Sequence, residues 1–247
     1  MKRLNILLTL ALLTPSLFTL SYATNICCAI TINHSAQDQE ERNVGSFKGI
    51  TSGGSLTVKV TMGNKESVRL EGDAEAIADL ITEVKSGVLT IRPKTKWSDW
   101  SRKYKRPNVT AYIHAKKITS LTMSGSGNME VQNNINSNEL VTTLSGSGSI
   151  KAIANVSSFT GIISGSGILD LTGKSEQSNL TLSGSGEFNG KRFAVSTLSV
   201  QVSGSANVYI AATKNIDAVI SGSGNVYYTG NAKVSKTTIG SGRVQKM

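Results

Sequence analysis

The 247-residue chain is poor in the side chains that build active sites and covalent staples: two cysteines, two histidines, three prolines and 5% aromatic residues. Cys27 and Cys28 are sequence neighbours. Their Cα atoms sit about 3.8 Å apart, so a bond between them is strained and ties no distant segments together. An intermolecular disulfide, a lipid attachment or an incidental place in a tail are the readings open to them. The lipoprotein pattern Leu-x-x-Cys with small residues between is not met, because Thr24-Asn25-Ile26 precede Cys27. His34 falls in the same tail and His114 in an expected strand, so no Cys/His set has zinc spacing. The Asp-rich nonapeptides of calcium-binding β-rolls are missing too, and we expect neither metal nor cofactor. Past Leu20 no apolar run is long enough to cross a membrane as a helix.

What the chain does have is a repeat. Ser124-Gly125-Ser126-Gly127 recurs at 145–148, 164–167 and 183–186, as Ser203-Gly204-Ser205-Ala206, at 221–224, and as Ile239-Gly240-Ser241-Gly242. The steps are 21, 19, 19, 20, 18 and 18 residues, and a period near 20 marks a repeat architecture. Apolar residues keep register with it. Met123, Leu144, Ile163, Leu182, Val202 and Ile220 stand one place before the motif, and Met129, Ile150, Leu169, Phe188, Val208, Val226 and Val244 five places after its start. The local period of two is a strand with one buried face. Glycine lets the chain bend at positive φ. Serine is small enough to stack on its copy, with a hydroxyl that can serve the bend's backbone groups. A unit of this length cannot bury its apolar face alone, but stacked copies share one core. The spacing predicts an all-β fold: a right-handed parallel β-helix, or β-solenoid, of about seven coils over residues 119–247, the hand following from that of β-crossover-β connections. The rival is a β-sandwich, which has no need of the same four residues at every turn.

Residues 1–23 have the form of a secretory signal: Lys2 and Arg3, an apolar run broken by Pro15, and Ser21-Tyr22-Ala23 before a mature start near Thr24. An uncleaved anchor is the alternative. Residues 24–40 read as a flexible polar segment. Residues 41–118 read as an N-terminal cap carrying the first strands, because a terminal turn must shield the open core. Within it Leu56, Val58 and Val60 alternate as a strand paired with Val68 and Leu70 across Gly63-Asn64. Asp73 is placed to cap a helix through Ala74, Ile77, Leu80 and Ile81. Residues 82–84 and 88–91 read as a hairpin over Lys85-Ser86-Gly87.

The run Arg42-Asn43-Val44-Gly45-Ser46-Phe47-Lys48-Gly49-Ile50, the segment Gly87-Val88-Leu89-Thr90-Ile91 and the repeated corners together resemble a large bacterial family, the auto-transporter adhesin head GIN domain. The resemblance covers about residues 42–230. It implies an exported β-helical protein of Gram-negative bacteria and brings no catalytic residues with it.

Charge is uneven. The chain carries 26 basic and 16 acidic residues, a net +10. Arg92, Lys94, Lys96, Arg102, Lys103, Lys105 and Arg106 crowd one segment with Trp97, Trp100 and Tyr104, and Pro93 and Pro107 bracket it. This reads as an exposed loop between strands. Cations interleaved with aromatic rings suit an anionic partner, such as an acidic glycan, lipopolysaccharide or an envelope component. The plainer reading is a solvated hairpin whose tryptophans pack back onto the cap. Export argues against a specific nucleic-acid role. An enzyme is not expected. The repeats hold only six carboxylates, and Glu130 and Asp170 sit two coils apart with Lys151 between them. That is about 9–10 Å by strand spacing, long for a glycosidase pair. The sequence thus points to a non-catalytic binding or adhesion module, in the periplasm or on the outer surface. A self-associating periplasmic scaffold is the alternative, and a carbohydrate-active β-helix enzyme a more distant one.

Overall fold

The computed structural model describes residues 38–104 and 108–247. The signal, the cysteine pair, His34, Lys105 and Arg106 lie outside the described residues. The cap holds β1 (Asp38–Arg42), β2 (Gly49–Gly54), β3 (Thr57–Met62), β4 (Ser67–Gly72), α1 (Ala74–Ala78), β5 (Leu80–Lys85), β6 (Val88–Pro93), α2 (Trp97–Lys103) and β7 (Thr110–Ala115). The coils follow as β8 (Ser120–Gly125), β9 (Asn128–Gly146), β10 (Ser149–Gly165), β11 (Ile168–Gly184), β12 (Glu187–Gly204), β13 (Asn207–Gly222), β14 (Asn225–Thr229), β15 (Lys233–Gly240) and β16 (Arg243–Lys246).

From β8 to β16 every pairing is parallel and joins one coil to the next. This is the solenoid, and it excludes the sandwich. Each long strand bends and contributes to two walls. One wall continues into the cap through β2 and β6, the other through β3 and β7. The core is a stack of register-matched apolar side chains, with Ile150, Leu169, Phe188, Val208 and Val226 fully buried.

The corner explains the repeat. The first glycine of each motif has φ between 107° and 119°. A Cβ on Gly146 would stand 2.5 Å from the Gly125 carbonyl oxygen, and the other coils repeat this contact. The second glycine lies at no such φ and meets only a lack of space. The sequence follows that distinction. The first position is glycine in all seven motifs, whereas the second admits the buried Ala206. The serines face solvent. They do not serve the bend as expected, because backbone groups of neighbouring coils satisfy one another: Ser166 N donates to Gly146 O at 2.9 Å and Ser185 N to Gly165 O at 2.9 Å.

Two details of the cap differ from the sequence reading. β3 does not pair with β4. β7 lies between them, parallel to β3 and antiparallel to β4. A solenoid wall adds parallel strands from later in the chain, so β4 is displaced outward, where β1 covers it. The helix stops at Ala78, because Leu80 and Ile81 are drawn into the antiparallel pair with β6. Asp73 does cap it, accepting from Ala76 N at 2.9 Å. The hairpin over Ser86-Gly87 forms with both residues at positive φ, the geometry a two-residue turn requires.

At the far end the core pattern changes. β15 places Val234, Lys236 and Thr238 in register with the buried Ile216, Ala218 and Ile220, and β16 sets Lys246 against Tyr228. A lysine at an inward position blunts an edge that would otherwise pair with another chain.

The core also contains a mismatch. Thr142 is fully buried, and among the described residues its hydroxyl has no partner. Thr142→Val keeps the shape and removes the unpaired group, so it should stabilise the fold by about 1–3 kcal/mol, the cost of an unmet buried donor. Denaturant midpoints at unchanged slope check this.

Candidate functional site at the capped end

The basic–aromatic segment is not an open loop. Its centre is the helix α2, which lies across the N-terminal end of the column. Trp97 lies against Gly53 and Gly54, the rung above Ser124 and Gly125. A Cβ on Gly54 would fall 2.1 Å from its ring, so only glycine leaves room there. Trp100 is 1% exposed, and its indole N–H donates to the Ala76 carbonyl at 3.0 Å. The two rings meet edge-on with centroids 5.4 Å apart, and Tyr104 lies edge-on to Trp100 at 6.0 Å. The aromatics therefore seal the core, and Pro93 is buried beneath them.

The cations face the other way. Arg92, Lys94, Lys96, Arg102 and Lys103 are exposed. Most have local counter-ions. Arg92 pairs with Glu83 at 3.2 Å, Arg102 with Asp99 at 3.0 Å and Lys103 with Asp79 at 2.8 Å. Lys94 donates to Ala78 O at 2.8 Å, with Asp79 3.9 Å away. Among the described residues Lys96 has no carboxylate partner. Five cations against Asp79, Glu83 and Asp99 leave this end positive.

Asp79, which the sequence reading did not single out, ties the lid down. It receives the Lys103 ammonium and the Tyr104 hydroxyl. The hydrogen bond from Lys103, then that from Tyr104, holds its carboxyl below the ordinary range. Burial and the Asp79 bond push the Tyr104 phenol up, the Asp79 bond most. A carboxylate with a lowered folded pKa contributes stability that is complete above its unfolded value of about 3.9 and is lost as pH falls through the folded value. Trp97 and Trp100 are the only tryptophans, so selectively excited tryptophan emission reports on the lid alone. We expect that signal to stay constant from neutral pH to below the usual carboxylate range. Asp79→Asn should show a loosened lid already at pH 7 and no acid step of its own. Identical acid titrations for both proteins would remove Asp79 from this role.

The remaining candidates are dispersed. Glu130 and Lys151 pair at 3.1 Å, and Asp170 accepts from Asn189 at 3.2 Å, so both carboxylates are engaged on the wall. His114 is exposed, its Nδ1 3.3 Å from the Ser67 hydroxyl. Among the described residues no three His, Cys, Asp or Glu side chains gather as metal ligands, and no helix is long and apolar enough to cross a membrane.

Several solved structures share this architecture. A putative adhesin from Bacteroides fragilis superposes with a TM-score of 0.77 at 17% identity, over 85% of this chain and 97% of its own. A putative lipid binding protein from Parabacteroides distasonis reaches 0.69 at 22% identity, covering 87% and 98%. A putative adhesin from Parabacteroides merdae reaches 0.60 at 18%, covering 87% and 97%. At such identities the likeness is one of fold. A comparison with curated proteins finds no match. The family profile described as putative auto-transporter adhesin, head GIN domain, matches residues 46–232. That span takes in the lid and six of the seven corner motifs, and the chain belongs to this family.

Proposed function

We propose that the protein is a non-catalytic, exported adhesion module of the cell envelope, whose capped end engages an anionic glycan or lipopolysaccharide. One observation carries this reading: α2 turns its aromatic face into the core and leaves its cationic face in solvent. The lid needs the aromatics and the Lys103–Asp79 tie, and leaves Lys96 and Arg102 without a part in closing the core. The excess of cations is free to raise the local concentration of an anionic partner. The adhesin family and the adhesin names of similar structures support the adhesion part of the reading. The lipid binding protein among them is consistent with a lipid-linked glycan as ligand. End-to-end self-association is less favoured, since Lys236 and Lys246 stand where a stacking edge would be apolar.

The test is binding of the chain from Thr24 onward to an array of acidic glycans, lipopolysaccharides and uncharged glycans. Acidic ligands should be selected, with affinity falling steeply as salt rises, because exposed charges beyond a Debye length of about 10 Å are screened at 0.1 M salt. Salt-independent binding of the acidic ligands, or no binding of any of them, would count against the proposal.

A further inference from the structure

We propose that the bend opposite the Ser-Gly corner is a second ligand site, distinct from the capped end, that takes a neutral oligosaccharide. A groove of about 510 Å³ runs across it, within the range of about 300–1,000 Å³ typical of small-ligand sites. Five successive coils contribute to it, from Ser137 on β9 to Thr213 on β13. Four coil steps at about 4.8 Å give a groove roughly 19 Å long, which suits an extended chain rather than a compact molecule.

The irregularity of the stack falls beside this groove and, on β12, within it. The register between coils shifts at Lys151/Ile153, Asp170/Thr172, Gly190/Ala194 and Val195/Thr197. No shift falls on the corner side of any of these pairs. The variation of the repeat between 18 and 21 residues is thus absorbed at and just before this bend while the corner stays constant. Bulges of this kind re-aim side chains and are frequent beside functional sites.

The chemistry of the lining selects the ligand. Val156 and Val195 lie under the groove with their side chains in the core, so the surface a ligand meets is mainly polar. Ser157, Ser196 and Asn155 present hydroxyls and an amide along it. The Ser137 Oγ is shielded from solvent, and among the described residues it has no hydrogen-bond partner. Lys174 and Glu176 flank the middle, exposed, and neither belongs to an ion pair among the described residues. The site therefore offers donors and acceptors in mixture, one charge of each sign and no net charge. A ligand with many hydroxyls, no charge and an extended form meets all of these conditions. An acidic glycan would gain Lys174 but face Glu176, and a fatty chain would leave the hydroxyls unpaired.

Isothermal titration of the chain from Thr24 onward with maltohexaose, cellohexaose and chitohexaose (the N-acetylated form) tests this, with a heparin octasaccharide as the acidic comparison. At least one neutral hexasaccharide should bind, with an affinity that changes less than twofold between 0.05 and 0.5 M salt. The double change Lys174→Ala and Glu176→Ala should weaken binding at least tenfold. Ala194→Trp, at an exposed position in the lining, should block it while leaving the circular dichroism spectrum intact. Neutralising the lid cations should leave neutral-sugar binding unchanged, which separates this site from the capped end. No binding of any neutral hexasaccharide at millimolar concentration would overturn the proposal. So would binding that survives both groove variants, or heparin as the only ligand displaced by Ala194→Trp.

Discussion

Gly165→Ala is expected to destabilise the protein by about 3 kcal/mol or more, far beyond the effect of Gly167→Ala two residues later. Gly165 has φ +116°, and a Cβ there would stand 2.6 Å from the Gly146 carbonyl oxygen, a backbone atom that cannot swing aside. Left-handed strain of about 1–3 kcal/mol adds to an overpacking cost of about 1–3 kcal/mol. At Gly167 a Cβ would likewise meet a carbonyl oxygen, that of Gly148 at 2.7 Å, but the φ is ordinary and the rest of the crowding comes from the Leu144 side chain, which can move. The fifth corner already shows alanine accepted at this second position, as Ala206. Each coil touches only its neighbours, so an interior defect also uncouples the two halves of the stack. Chemical unfolding of the two variants side by side is the check. Equal losses would mean that space, and not backbone conformation, keeps glycine in the column.

Trp100→Ala should cost about 3–5 kcal/mol of lid stability, the range for removing a large buried aromatic, and it also leaves the Ala76 carbonyl without its donor. The expected picture is local. Trp97 loses its edge-on neighbour, its emission shifts to longer wavelength, and limited proteolysis opens the segment around α2. The far-UV spectrum of the coils changes little, since the coil pairings from β8 onward do not involve this residue. Uniform loss of the whole fold would instead place the lid in the same cooperative unit as the stack. An unchanged Trp97 signal would contradict the packing described above.

The coils were legible in the sequence because a parallel solenoid repeats its steric problem at every turn. Gly125, Gly146 and Gly165 answer the same carbonyl contact, and Ile150, Leu169 and Phe188 fill the same position in the core, so the period of the pattern is the period of the fold. The cap was less legible because it meets each problem once. Nothing local to Val58 and Val68 tells that β7, over 40 residues on, will come between their strands. Leu80 and Ile81 suit a helix face as well as a strand, and the partner strand β6 decides between them. The basic–aromatic segment was visible as a composition, but its division into an inward aromatic face and an outward cationic face was not. That division depends on the helical turn between Trp97 and Trp100, and on a hole over Gly53-Gly54 shaped to receive a ring. Asp79 gave no sign of its own. It is one aspartate among others until the fold brings Lys103 and Tyr104 to it from 24 and 25 residues away. The second bend escaped notice for the opposite reason: its residues are those in which the coils differ.

The central claim is that the capped end performs two separable tasks, with the aromatics and the Lys103–Asp79 pair closing the core and the remaining cations meeting a ligand. The direct measurement is lipopolysaccharide binding by a variant carrying Lys96→Ser and Arg102→Ser, with both tryptophans kept and Asp79, Lys103 and Tyr104 untouched. The account predicts an unchanged tryptophan emission spectrum and unfolding midpoint, together with at least a fivefold loss of binding at low salt. Binding equal to that of the unaltered protein would contradict it, and α2 would then be a lid and nothing more.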